Sequence, residues 1–241
     1  MTTLSNKTIL ITGASSGIGE ASVRELAEAG ARLFIGARRT DRLESLAREL
    51  GGTIGWSELD VTQADSFEAF AKAAEDKFGQ TDVLINNAGV MPLSLLADLK
   101  TDEWRRMIDV NIHGVLNGIA TLLPRFMARK SGHFVNVASV GAHMVLPTGA
   151  VYCATKFAVR AISEGLRQEH DDIRTTVISP GVTETELGND ITAPDVAAGL
   201  QEWRKKSLKP VAIARAIRFA LEQPDSVDVN EIIVRPTAAD M

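Results

Sequence analysis

Tyr152 is the chain's one tyrosine, and Lys156 follows it in the string Tyr152-Cys153-Ala154-Thr155-Lys156. On a helix that spacing sets the phenol and the ammonium on one face, a turn apart. A lysine so placed is expected to lower the phenol's pKa from its ordinary ~10, because a nearby positive charge favours the phenolate. A phenol tuned in this way can pass a proton near neutral pH. The same spacing also occurs on plain amphipathic surfaces, so the pair acquires meaning only from its company.

That company begins with a glycine-rich turn, Thr12-Gly13-Ala14-Ser15-Ser16-Gly17-Ile18-Gly19, placed after the first apolar run of the chain. Glycines let the backbone turn tightly and approach a phosphate, and the helix that follows offers the anion free N–H groups and a positive dipole end. The spacing is not the usual G-x-G-x-x-G, so a simple glycine turn competes with a nucleotide site. Its place after a first strand favours the nucleotide.

The end of the second apolar run bears on which nucleotide. A carboxylate about 20 positions beyond the glycines would bind the ribose 2′-hydroxyl of NAD. Gly36-Ala37-Arg38-Arg39 stands there instead, and two guanidiniums suit the 2′-phosphate of NADP, which arginine can grip bidentately.

Other chemistries find less support. Cys153 is the single cysteine, which leaves no intrachain disulfide and suits a reducing cytoplasm. On a helix it points about 100° away from Tyr152, so a small buried residue is expected rather than a nucleophile. The histidines His113, His133, His143 and His170 lack metal-ligand spacing, and no metal site is expected. Val137-Ala138-Ser139-Val140-Gly141 resembles the serine elbow of hydrolases, but Val137 occupies the first glycine position, and no histidine follows His170 to complete a triad. A net charge of −5 gives no basic footprint for nucleic acid. Arg204, Lys205, Lys206 and Lys209 read as a solvated helix end. Neither a secretory leader pattern nor a long membrane span is visible.

The elements that must hold these residues follow from the apolar pattern. Short runs at Thr8 to Ile11, Arg32 to Ile35, Thr53 to Trp56, Val83 to Ile85, His133 to Val137, Thr175 to Ile178 and Glu231 to Val234 predict strands. Helical patterns lie between them at Gly19 to Ala29, Asp41 to Leu50, Ala64 to Phe78, Thr101 to Arg129, Val151 to His170 and Val211 to Leu221. This rhythm predicts an α/β fold: one doubly wound (Rossmann) domain over residues 1–241, with a seven-stranded parallel sheet covered by helices on both faces. The polar stretch Gly188 to Gly199, with Pro194, lacks a strand and reads as an excursion within a substrate lid at about 183–208.

With these motifs in this order, the chain resembles the short-chain dehydrogenase/reductase family, in its compact catalytic subclass, from about Lys7 to Pro236. Thr12-Gly-x-x-x-Gly17-x-Gly19 is similar to the family's cofactor motif, Asn86-Asn87-Ala88-Gly89 to its fourth-strand motif, and Asn111, Ser139, Tyr152 and Lys156 to its catalytic tetrad. Asp60-Val61 resembles the pair that meets adenine. Pro180-Gly181-Val182-Thr183 with Thr185 resembles the segment at the nicotinamide end. The stretches Arg106 to Asn111, Val182 to Leu187 and Ile233 to Thr237 look most like the branch that includes clavulanate dehydrogenase and related NADP-dependent carbonyl reductases.

The resemblance implies hydride transfer between NADP(H) and a small carbonyl or alcohol substrate. Tyr152 would serve as acid and base, and Lys156 would tune it and hold the nicotinamide ribose. Ser139 would orient the substrate oxygen, and Asn111 would hold a water leading from Lys156 to solvent. The glycine turn (Gly13, Ser15, Ser16, Gly17, Ile18, Gly19), Arg38, Arg39, Asn87, Ala88 and Gly89 would line the rest of the cofactor site. Many NADP-using relatives carry a basic residue where this chain has Ser16, so the preference for NADP rests mainly on Arg38. The resemblance and the long helical segments imply a homotetramer, with a homodimer as the alternative. A non-catalytic NADP-binding sensor on the same fold is the functional alternative, although such a protein would be expected to lose Tyr152. Met91-Pro92-Leu93, His143-Met144-Val145-Leu146 and the Thr183 to Leu200 excursion are expected near the carbonyl. The first two are mostly apolar and none of the three brings a cationic cluster, which points to an apolar or aromatic ketone or aldehyde.

Overall fold

The structure is a computed structural model that describes residues 4–238. Each apolar run forms a strand: β1 (Thr8–Thr12), β2 (Arg32–Ala37), β3 (Ile54–Glu58), β4 (Val83–Asn86), β5 (Gly132–Val137), β6 (Ile173–Pro180) and β7 (Glu231–Val234). All pair in parallel in the order β3-β2-β1-β4-β5-β6-β7. The order reverses between β1 and β4, and this is the switch point at whose carboxyl ends such sheets open a crevice.

Alternate residues of each strand face opposite sides of the sheet. Ile9, Ile11, Ile85 and Val135 pack with α1 (Gly17–Glu28), α2 (Thr40–Leu50) and α8 (Pro210–Leu221). Leu10, Leu84 and Phe134 face the other way, toward α3 (Ala64–Phe78), α5 (Gly114–Arg129) and α6 (Ala150–Glu169). Burial on both faces explains why these strands read as continuous apolar runs rather than alternating ones. Each fully buried Leu, Ile or Phe contributes roughly 1.5–3 kcal/mol against unfolding.

Two predicted elements differ in form. The stretch from Thr101 to Arg129 is helical throughout, but α4 (Thr101–Ile108) passes into α5 through one π-helical turn, Asp109–His113. The excursion near Pro194 lies outside the sheet as expected and carries a helix, α7 (Pro194–Arg204), that begins on that proline. A proline at the first helical position loses nothing, since its missing N–H would be unpaired there anyway. The 183–208 segment closes on itself through a bridge between Thr183 and Leu208.

Candidate active site

A cavity of about 500 Å³ opens at the carboxyl ends of β1 and β4 and runs beneath α7. Its floor at one end is the glycine turn. Gly13 (φ 66°) and Gly17 (φ 57°) lie in the left-handed region, and a Cβ on Gly19 would stand 2.3 Å from the Gly13 carbonyl oxygen. Only glycines allow this turn. Ser16 precedes α1 without a side-chain cap, so the helix's first N–H groups remain for an anion. Thr12 ties the two strand ends together, its Oγ1 accepting from the N–H groups of Asn87 and Ala88 at 3.0 Å each. Asn87 Nδ2 in turn donates to the carbonyls of Thr12 (2.9 Å) and Gly13 (3.2 Å).

At the other end Tyr152 and Lys156 lie on α6, and both are buried. Lys156 Nζ donates to the Val137 carbonyl at 2.9 Å and sits 5.9 Å from the centroid of the Tyr152 ring. Ser139 leaves β5 and caps the short turn Val140–Ala142 by accepting from Gly141 N (3.0 Å), and its hydroxyl stands beside the Tyr152 phenol. Asn111 occupies the π turn, which aims its buried amide inward. Its Oδ1 accepts from Val90 N (2.9 Å), and its Nδ2 donates to Val90 O and to Thr155 Oγ1, both at 3.0 Å. Asn111 thus meets α6 through Thr155.

The expected lowering of the phenol's pKa does not occur in the protein without cofactor. Burial pushes Tyr152 up to about 12, against the opposing hydrogen bond from Ser139. Burial also pushes Lys156 down to about 8. Desolvation penalises both charged forms, and it outweighs an ammonium that is engaged by a backbone carbonyl.

The glycine turn apart from Gly19, together with Arg38, Arg39, Asp60, Val61, Asn87, Ala88, Gly89, Pro180, Gly181, Val182, Thr183 and Thr185, lines this cavity, as do Ser139, Tyr152 and Lys156. Gly19 and Asn111 stand behind its wall. Arg38 is exposed at the rim, and it has no hydrogen-bond or ion-pair partner among the described residues. Arg39 is engaged: it donates to Ser15 Oγ and Ser16 Oγ, and its Nη1 lies 2.6 Å from Glu186 Oε2.

The substrate end departs from expectation in two respects. Of the stretch His143 to Leu146 only Leu146 reaches the cavity, while Val145 points to solvent. Two guanidiniums do reach the wall, Arg106 from α4 and Arg204 from α7. Each is neutralised or saturated. Arg106 pairs with Asp190 at 3.0 Å, and Arg204 Nη2 donates to Thr185 O, Leu187 O and Asn189 Oδ1. Arg204 is therefore an organiser of the 185–189 loop rather than part of a solvated helix end. Met91, Leu93, Leu187, Leu200 and Trp203 complete an apolar wall. Leu187 and Leu200 belong to the Thr183 to Leu200 segment expected near the carbonyl, whereas Trp203 escaped the sequence reading because only the fold of α7 brings it to the crevice.

The sequence profile of the short chain dehydrogenase family matches residues 7–195. An uncharacterised oxidoreductase of Staphylococcus saprophyticus is 50% identical over 99% of both chains. Among solved structures, an alcohol dehydrogenase from the archaeon Thermococcus sibiricus, complexed with 5-hydroxy-NADP, is 35% identical over 98% of both chains with a TM-score of 0.88. A 3-ketoacyl-(acyl-carrier-protein) reductase from Brucella melitensis, complexed with NADH, is 29% identical over 97% of this chain and 98% of its own, with a TM-score of 0.87.

Proposed function

The chain belongs to the short-chain dehydrogenase family and is an oxidoreductase, and we propose that it interconverts a ketone or aldehyde and its alcohol with NADP(H). The observation that carries this reading is the cluster of Ser139 with the buried Tyr152 and Lys156, which opens into the same cavity as the bare glycine turn. The residues fit a dinucleotide. The uncapped start of α1 suits a pyrophosphate, and the unpaired Arg38 beside Arg39 suits a 2′-phosphate. Asp60 and Val61 would hold the adenine, and Pro180 to Thr185 the nicotinamide end. The bound cofactor supplies or accepts hydride.

The protein's own part is the proton. At neutral pH the Tyr152 phenol is protonated, so it stands ready to donate to the oxygen of a carbonyl being reduced. Ser139, beside that phenol, orients the substrate oxygen. Lys156 holds the ribose and lends positive charge to the phenolate once it forms. Asn111 fixes the lysine's helix through Thr155.

The apolar wall of Met91, Leu93, Leu187, Leu200 and Trp203 favours an apolar or aromatic carbonyl compound, and the likeness to carbonyl reductases of the clavulanate dehydrogenase branch supports it. The segment 183–208 serves as its lid. The account extends to a homotetramer in the cytoplasm; no helix among the described residues is long and apolar enough to cross a membrane. The test is a panel of aliphatic, aromatic and carboxylated carbonyl compounds assayed with NADPH and NADH. The reading predicts efficient turnover of apolar or aromatic carbonyls with NADPH, and it fails if no carbonyl is reduced or if carboxylated substrates are preferred.

A further inference from the structure

Two consecutive lid residues lie on the groups that a dinucleotide's phosphates would need. Thr185 packs against the glycine turn so closely that a Cβ on Gly17 would stand 3.0 Å from its Cγ2. Glu186 bridges two guanidiniums: its Oε2 lies 2.6 Å from Arg39 Nη1, and its Oε1 lies 2.7 Å from Arg42 Nη1. Arg39 also donates to Ser16 Oγ at 2.8 Å, so the carboxylate is fastened to the glycine turn and to the end of β2 at once. The fastening spans 147 positions of sequence.

Resting on the NADP reading above, we propose that Glu186 is a displaceable stand-in for the cofactor's 2′-phosphate, an anion carried by the lid that occupies the phosphate's guanidiniums until NADP claims them. A 2′-phosphate carries up to twice the charge of a carboxylate and has three acceptor oxygens, so it competes well for Arg39 and Arg42. The 2′-hydroxyl of NAD cannot. NADP therefore unfastens the lid from the adenosine end, whereas NAD binds with the fastening intact. Arg204 keeps its hold on the carbonyls of Thr185 and Leu187, so the released strap moves as one piece with α7. The strap makes Glu186 a specificity-determining residue that weakens NADP binding but leaves NAD binding alone.

The pair is half exposed, with side-chain accessibilities of 43–44%, and such pairs are modest. Glu186→Gln is expected to tighten NADPH about two- to fivefold, the range that an exposed ion pair supports. Titration calorimetry with NADPH, NADH, 2′-AMP and 5′-AMP reads this directly. The expected result is tighter NADPH and 2′-AMP in Glu186→Gln, with NADH and 5′-AMP unchanged. In addition, saturating 2′-AMP should speed tryptic cleavage at Lys205 and Lys206 in the wild type. Glu186→Gln should be cut at that faster rate without ligand. Unchanged or weaker NADPH affinity in the variant, equal tightening of both cofactors, or no response of the cleavage to 2′-AMP overturns the displacement. A wild type that binds NADPH and NADH equally overturns the NADP reading itself, and the displacement with it.

Discussion

Asn111 and Thr155 join the π turn to α6, the helix of Tyr152 and Lys156, with Asn111 Nδ2 donating to Thr155 Oγ1 at 3.0 Å while Thr155 Oγ1 donates to the Tyr152 carbonyl at 2.7 Å. Thr155 does not itself line the cavity, so the role it would have is that of a positioning residue, acting through the helix turn that carries Tyr152. Thr155→Val keeps the shape and removes both bonds. Losing buried hydrogen bonds costs about 1–3 kcal/mol, and kcat is expected to fall about tenfold with KM little changed. Thr155→Ser, which restores the hydroxyl, should recover most of kcat. A fall in KM and kcat together, or no rescue by serine, would reduce Thr155 to a packing residue.

Arg38, at the crevice rim, has no hydrogen-bond or ion-pair partner among the described residues. Arg38→Ala is expected to weaken NADPH binding about tenfold or more, consistent with the roughly 1.5–3 kcal/mol of a charge-assisted hydrogen bond, and to leave NADH nearly unchanged. Fluorescence titration with both cofactors decides it. Equal loss for both would assign Arg38 to the adenosine in general.

Burial of Lys156 has a consequence for stability. Its pKa in the folded chain, about 8, lies below the ordinary 10.5, so between those values the unfolded chain binds more protons than the folded one. Wild-type stability should therefore rise with pH across that window and carry the cost of a buried ammonium below it. Lys156→Met is expected to gain on the order of 1–3 kcal/mol at pH 7 while losing most activity, with the gain shrinking toward pH 10.5. Urea unfolding at several pH values would show it. A variant less stable than wild type at pH 7 would show that the bond from Lys156 to the Val137 carbonyl outweighs the desolvation.

Apolar side chains remain exposed on the outer helices and the last strand, among them Leu116 and Met127 on α5, Phe157 on α6, Phe219 on α8 and Ile233 on β7. Faces of this kind are usually covered by another copy. Light scattering at micromolar concentration should give a symmetric oligomer, a tetramer by this account. A stable monomer would refute it.

The fold was legible because its signals are local. Strands buried on both faces give continuous apolar runs, and the glycine turn must be glycine because a Cβ on Gly19 has no room. The Tyr152–Lys156 spacing is likewise a property of one helix. What escaped is set by distance or by burial. Glu186 meets Arg39 across 147 positions, which no local pattern encodes. Arg204 belongs to a run of cations that looks like a helix end, and only the folded 185–189 loop gives it carbonyl partners. The direction of the Tyr152 shift depends on how much water reaches the phenol, and helix spacing says nothing of that.

The account's central claim is that the Tyr152 phenol is the proton donor. Because it is the only tyrosine, ultraviolet phenolate absorbance reports on it alone, and in the free protein it should titrate near 12 rather than 10. The most direct measurement pairs single-turnover carbonyl reduction with NADPH binding in Tyr152→Phe. The account predicts that the rate falls by about two to four orders of magnitude, as for loss of a general acid, while NADPH affinity stays within about twofold. Near-wild-type reduction by the phenylalanine variant would contradict it.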